Sequence, residues 1–136
     1  MSLPLIESVK RCTASPAFMD RFFELFLSSD PRVAARFEHT DFARQKYMFG
    51  KSLMLLVQNA YNVPGTAEKI SAVARSHGPE GMDIPTRLYG LWLEALLQAV
   101  RESDTELNAE LAQEWRRVFS AQLEFLLEKR GDYATL

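Results

Sequence analysis

Apolar residues recur at intervals of three and four along almost the whole chain, and no stretch keeps a strict alternation of apolar and polar residues. Intervals of three and four place side chains on one face of an α-helix, whereas strict alternation is typical of a half-buried strand. The pattern therefore predicts an all-α protein. The length of 136 residues suits one domain over 1–136, of which 131–136 are expected to form a flexible tail.

N-cap residues and helix breaks divide this pattern into seven helical segments. Ser15 and Asp30 are N-cap residues that each precede a proline, which favours the first turn of a helix. Thr40 or Asp41 caps the long central helix, and the sequence Asn-Val-Pro-Gly at 62–65 ends it. The predicted helices cover approximately 4–12, 16–28, 31–37, 42–61, 67–77, 85–102 and 106–129.

Charge and composition exclude several classes of partner. The chain has sixteen basic and eighteen acidic residues, with both signs mixed along its length. This distribution argues against nucleic acid and against an anionic membrane surface as partners. The longest apolar run, 53–57, is too short to span a bilayer, and the first residues are not expected to form a signal peptide. The single cysteine, Cys12, rules out an intrachain disulfide and fits a reducing compartment. We therefore expect a soluble, cytoplasmic protein.

Histidine is a metal-binding residue that occurs only twice in this chain, and one of the two copies closes a helix. His77 ends an amphipathic segment directly before Gly78 and Pro79, which stop the helix. An imidazole that projects from a helix end onto an apolar pocket can hold one face of a haem and leave the other face open. The alternative is that a protonated His77 only stabilises the helix C-terminus. His39 precedes a helix cap and is expected at the surface.

The long central helix carries a glycine inside its apolar stripe. Gly50 costs roughly 1 kcal/mol relative to alanine at such a position, so we interpret it as the site where the phenylalanine-rich second helix crosses closely. The alternative is that Gly50 relieves crowding between bulky neighbours.

Together these features resemble the globin family, specifically the short bacterial single-domain globins, over nearly the whole chain. The resemblance implies a globin fold, a three-over-three helical sandwich with a short N-terminal helix, and haem b as the cofactor. It depends on the order and spacing of several residues, because none of them is specific alone. These residues are Pro31, Phe37, Gly50, His77, Tyr89 and Trp115.

The resemblance also assigns residues on the side of the haem that carries the ligand histidine. His77 corresponds to the histidine that binds the iron, and Phe37 to the phenylalanine that packs flat on the porphyrin. Ser76 or the carbonyl of Val73 is expected to accept a hydrogen bond from the other ring nitrogen of His77, which fixes the tautomer. Tyr89 matches a tyrosine of the family's penultimate helix, and packing is its expected role.

On the opposite, gas-binding side the sequence departs from the family. Phe49 stands where many globins have histidine or glutamine, and Phe23 stands where bacterial relatives often have tyrosine, so no hydrogen-bond donor is evident over the iron. Leu53 lies one turn beyond Phe49 on the same stripe. If its side chain turns inward, Gln45 or Lys46 is an alternative residue for the gas-binding side. If the alignment shifts by one, Met48 takes the place of Phe49. Lys46 is expected to pair with a haem propionate, with Arg44, Lys51 and Arg75 as alternatives.

The resemblance implies a haem-binding globin that binds a diatomic gas, O₂, NO or CO, for sensing or redox signalling. Phe119 stands where some relatives have a tyrosine in the last helix that supports oxygen chemistry. Two alternatives stay open: an NO dioxygenase-type enzyme that works with a separate reductase, and a haem-free globin-like module that binds a protein partner. We also expect that the protein can form a homodimer through its last two helices. A reductase or a signalling protein is a further expected partner.

Overall fold

The computed structural model describes residues 3–79 and 81–130, and this part of the chain contains helices and loops without strands. The all-α prediction is therefore confirmed, whereas the tail predicted for 131–136 lies outside the described residues. No helix in the described part is long and apolar enough to cross a membrane. The helices are α1 (Leu3–Thr13), α2 (Pro16–Ser29), α3 (Pro31–Arg36), α4 (Phe42–Ala60), α5 (Thr66–His77), α6 (Arg87–Ser103) and α7 (Ala109–Lys129).

The helix starts follow the N-cap residues of the sequence. The Ser15 side chain accepts a hydrogen bond from the amide of Phe18, and the Asp30 side chain accepts one from the amide of Arg32. Asp41, rather than Thr40, caps α4, because its carboxylate accepts from two amides of the first turn. Each bond satisfies an amide that has no partner within its own helix.

Two helices begin later than the sequence pattern predicted. α7 begins at Ala109 because the Asn108 side chain caps it, accepting from the amide of Leu111 at 2.8 Å. α6 begins at Arg87 because the preceding turn is wound more tightly, with the amide of Leu88 bonded to the carbonyl of Pro85 three residues back. Such turns are frequent at helix starts.

Aromatic side chains form much of the core between these helices. α2 packs along α6, and α7 contacts α1, α4, α5 and α6. Phe18, Phe22, Trp115 and Phe119 are almost completely buried, and burying one large apolar side chain contributes about 1.5–3 kcal/mol. The rings of Trp115 and Phe119 stack with their centroids 5.0 Å apart.

A buried polar network joins α1 to α7 and to the residue that follows α6. Asp104, whose side chain is fully buried, accepts hydrogen bonds from Ser8 and from two nitrogens of Arg11. The indole of Trp115 in turn donates to the Ser8 hydroxyl at 2.9 Å. Burial opposes ionisation of Asp104, but the bonds from Arg11 and Ser8 outweigh it, so the pKa of this carboxyl is lowered.

Gly50 lies where side chains of α1 and α2 approach α4. A Cβ at this position would lie 3.1 Å from the terminal methyl of Met19 and 3.9 Å from Thr13. The backbone of α2 is not among the atoms nearest to this position, so the predicted close crossing of α2 and α4 at Gly50 is not observed, and the side chains of Met19 and Thr13 occupy the space instead. Phe49, the preceding residue, is buried.

Candidate functional site

His77 is the last residue of α5, and the following loop folds back over the helix end. The carbonyl of Ser76 accepts a hydrogen bond from the amide of Met82, and the carbonyl of His77 accepts one from the amide of Ile84, both at 2.8 Å. Carbonyls at a helix C-terminus lack partners within the helix, and here the loop backbone supplies them. The loop therefore fixes the backbone from which the imidazole projects.

The return of the loop requires glycine at position 81. A Cβ on Gly81 would lie 2.2 Å from the carbonyl oxygen of Ser76, well inside the contact distance of the two atoms. Gly78 is also confined, because its Cβ would lie 3.2 Å from the carbonyl oxygen of Arg130. The glycines after the histidine thus allow the loop to pack against both α5 and the end of α7.

The His77 imidazole is half-buried and is oriented through one of its two nitrogens. Its Nδ1 lies 3.2 Å from the hydroxyl oxygen of Tyr89, which is itself buried. The other nitrogen, Nε2, makes no hydrogen bond to any residue that the structure describes. Burial and the nearby charge of Arg130 lower the pKa of His77, which favours the neutral imidazole that binds metals.

Arg130 lies on the far side of Tyr89 and joins three parts of the chain. Its side chain is 1% exposed, and its Nη1 donates to the carbonyl of Ile84 at 2.5 Å and to the Tyr89 hydroxyl oxygen at 3.4 Å. The guanidinium carbon lies 5.7 Å from the centroid of the Tyr89 ring. Arg130 thus ties the loop after His77 to α6 and α7.

The hydrogen-bond partner of His77 differs from the sequence-based expectation. The Ser76 hydroxyl donates to the carbonyl of Val73 at 2.8 Å, and both residues are exposed, while Nδ1 of His77 faces Tyr89. Sequence analysis treated Tyr89 as a packing residue and did not single out Arg130. For Tyr89, the only indication in the sequence was its match to a tyrosine of the family. For Arg130 there was none, because the apolar periodicity does not show that a cation at the end of α7 turns inward.

The residues predicted for the gas-binding side form an aromatic cluster around α2 and α4. Phe49 is buried, and its ring stacks on Phe22 with centroids 4.0 Å apart and planes at 15°. Phe23 meets Phe49 edge to face at 5.6 Å, and Trp92 of α6 does so at 6.0 Å. Leu53, on the next turn of α4, is fully buried. The lining of this region is therefore apolar.

Phe37 lies at the rim of this aromatic cluster. It is half-buried at the end of α3, and its ring meets those of Phe23 and Phe26 edge to face, with centroids about 6 Å apart. Its ring also stacks loosely on Phe42. The structure thus brings Phe37 together with Phe23 and Phe49, but it shows no ring contact between these residues and His77 in the described part.

The other residues considered for the haem surroundings lie at the outer surface of α4 and α5. Lys46 forms an ion pair with Asp20 of α2, at 2.6 Å, and Met48 is 49% exposed. Lys51 lies over the ring of Tyr47, with Nζ 5.4 Å from the centroid. Arg44 and Arg75 are exposed. None of these side chains contacts Phe49 or His77 through a hydrogen bond or an ion pair.

The donor chemistry at His77 fits a haem. A neutral imidazole with Nδ1 held by Tyr89 and Nε2 without a partner in the described part would be able to coordinate a metal through Nε2. A metal bound by one side chain suits a cofactor that carries its other ligands, as iron in porphyrin does. The apolar cluster of Phe23, Phe37 and Phe49 offers the kind of surface on which a porphyrin packs.

One solved structure resembles this chain over almost its full length. It is the crystal structure of a protein from Pseudomonas aeruginosa that is described as structurally highly homologous to a human hemoglobin, with a TM-score of 0.87 and 35% sequence identity. The match covers 93% of this chain and 95% of that one. The chain therefore belongs to the family of bacterial globin-like proteins, and its fold is the globin fold. Comparisons with protein-family models and with curated proteins gave no match.

Proposed function

We propose that this protein binds one haem b, with Nε2 of His77 as the axial ligand, and that the opposite face of the iron binds a diatomic gas. The observation that carries the proposal is the environment of His77. Its backbone is fixed by the returning loop, and its Nδ1 is engaged by the hydroxyl of Tyr89. These contacts orient an imidazole before a cofactor arrives, which lowers the cost of forming the metal bond.

When bound, the haem supplies an iron that coordinates O₂, NO or CO. The residues of this chain decide which gas is favoured. Phe49, Phe23 and Leu53 are buried and apolar, and none of these side chains can donate a hydrogen bond. Bound dioxygen carries partial negative charge and gains most from such a donor. We therefore propose that the protein favours CO and NO over O₂, which suits sensing or redox signalling better than oxygen storage.

A reducing, cytoplasmic setting is consistent with the state of the cysteine. Cys12 is buried in α1, and burial raises the pKa of its thiol to about 12. A thiol that stays protonated is a poor nucleophile and resists oxidation. We propose that Cys12 is a core residue and that the redox chemistry of the protein belongs to the haem.

The proposal is tested by titrating purified haem-free protein with haem and following the Soret absorbance. We expect saturation at one haem per chain in the wild-type protein and in His39→Ala, a matched control that removes the exposed histidine. His77→Ala should bind more weakly and show an altered spectrum. Equal affinities and identical spectra in His77→Ala and His39→Ala would refute ligation by His77.

A second candidate function is a haem-free globin-like module that binds a protein partner. It is favoured by the packing of Phe49, whose ring lies directly on Phe22 with the centroids 4.0 Å apart. Such a cluster closes the interior without a cofactor. Wild-type protein that is fully folded and shows no Soret band after haem is added would support this function over haem binding.

A further inference from the structure

The hydroxyl oxygen of Tyr89 lies between the imidazole of His77 and the guanidinium of Arg130. It is 3.2 Å from Nδ1 of His77 and 3.4 Å from Nη1 of Arg130. The aromatic ring of Tyr89 is also within cation–π distance of the guanidinium. His77 and Arg130 are therefore linked through a single oxygen atom.

The directions of these hydrogen bonds follow from the chemistry of the donors. A guanidinium can only donate, so the Tyr89 oxygen accepts from Arg130. When Nε2 of His77 is a metal ligand, the neutral ring carries its proton on Nδ1, and this N–H donates to the same oxygen. The Tyr89 oxygen then accepts one bond from each side.

The two bonds compete for the electron density of that oxygen. A partner that accepts the N–H of a ligating histidine raises the basicity of the ligand and its donation to the metal. A positive charge on the same acceptor weakens this effect. Arg130 is 1% exposed, so water screens its charge little. The exposed carboxylate of Asp83, 4.0 Å from Nη2 of Arg130, offsets part of that charge but does not remove it.

We propose that Arg130 is a positioning residue that acts on His77 through Tyr89, limits electron donation from His77 to iron, and so favours the ferrous, gas-binding state. This inference rests on the proposed haem binding. It extends that proposal by assigning control of the iron's redox state to a residue without contact to the metal. Arg130 acts by polarising the acceptor of the ligand's N–H.

The test is the ferric/ferrous midpoint potential of the haem-loaded protein, together with the iron–histidine stretching frequency of its ferrous form. Arg130→Gln keeps a donor for the carbonyl of Ile84 but removes the charge, so the potential should fall and the stretching frequency should rise. Tyr89→Phe removes the acceptor, so both should move in the opposite direction. We expect each variant to change the ferric-to-ferrous ratio at a fixed potential by roughly threefold to tenfold, where tenfold corresponds to about 59 mV for one electron.

The double variant separates action through Tyr89 from other effects. In a Tyr89→Phe background, Arg130→Gln should shift the potential much less than in the wild type, because only the direct electrostatic effect of the buried charge remains once the oxygen is absent. Arg116→Gln removes the same charge from the surface of α7, where Arg116 pairs with Glu94, and should not shift the potential. If Arg130→Gln does not fold, Arg130→Lys, which keeps the charge, should stay closer to wild type than Tyr89→Phe does.

The outcomes distinguish this inference from the proposed function. Equal shifts for Arg130→Gln in the wild-type and Tyr89→Phe backgrounds would overturn it, as would shifts of the same sign in both single variants. Haem binding with unchanged potentials in every variant overturns it as well and leaves the proposed function standing. A wild-type protein that binds no haem overturns both.

Discussion

The ring of Phe49 lies flat on the ring of Phe22, with centroids 4.0 Å apart, so Phe49 is anchored to α2. Both rings are at most 4% exposed. A stack of this kind fixes the position of the Phe49 ring, which has no group that could donate a hydrogen bond. Under the proposed function, the choice between gases depends on Phe49.

Replacing Phe49 with glutamine should change the relative affinity for gases. An amide donor at this position can hydrogen-bond to bound dioxygen, and a hydrogen bond to a charged group contributes about 1.5–3 kcal/mol. We expect O₂ dissociation from the haem-loaded protein to slow by roughly tenfold or more, with little change for CO. Stopped-flow dissociation rates measure both. Phe49→Leu is the control, since it removes the ring without adding a donor, and equal shifts for O₂ and CO would contradict the account.

The loop after His77 should not tolerate a side chain at position 81. Gly81→Ala places a Cβ 2.2 Å from the carbonyl oxygen of Ser76, so the loop must move. We expect a loss of about 1–3 kcal/mol in the free energy of unfolding and weaker haem binding, measured by urea denaturation and haem titration.

Gly90→Ala provides the matched control for this substitution. A Cβ on Gly90 meets no atom within 4 Å, and the residue lies on the exposed face of α6. Alanine should therefore stabilise the helix, by up to about 1 kcal/mol. A Gly81→Ala variant as stable as Gly90→Ala would show that the loop does not have this conformation.

The buried carboxylate of Asp104 should make stability depend on pH. Its pKa is lowered from 3.8 in the folded protein, so its contribution is present above the unfolded pKa and is lost as the pH falls through the folded value. At neutral pH, Asp104→Asn should cost roughly 1.5–3 kcal/mol, because charge-assisted bonds from Arg11 and Ser8 are weakened.

Urea denaturation of wild type and Asp104→Asn from pH 7 to pH 2.5 measures this dependence. The difference between the two proteins should stay constant down to about pH 4 and shrink below it. Glu106→Gln, at an exposed residue on the edge of the same network, is the control and should have a small effect. A difference between wild type and Asp104→Asn that does not vary with pH would exclude Asp104 as the titrating group.

Local signals made the helices and the position of His77 predictable. Ser15 and Asp41 satisfy amides within three residues of themselves, so their role is present in the sequence alone. His77 could be placed at a helix end because Gly78 and Pro79 follow it. The later starts of α6 and α7 were not predicted, because residues at or just before Pro85 and Asn108 are equally compatible with a helix start.

The partners of His77 could not be predicted in the same way. Tyr89 reaches Nδ1 only because the intervening loop folds back on α5, and Arg130 reaches Tyr89 only because α7 ends beside that loop. Both contacts depend on how the helices pack, and no periodicity reports them. Lys46 shows the same limit, since its ion pair with Asp20 joins two helices that are distant in sequence.

The central claim is that His77 is the axial ligand of a haem, and the most direct measurement is chemical rescue of a His77→Gly variant. We predict that the ferrous–CO absorption spectrum of the haem-loaded variant differs from wild type, and that added imidazole restores it by occupying the vacated position. His39→Gly should match wild type with or without imidazole. A His77→Gly spectrum identical to wild type in the absence of imidazole would contradict the account.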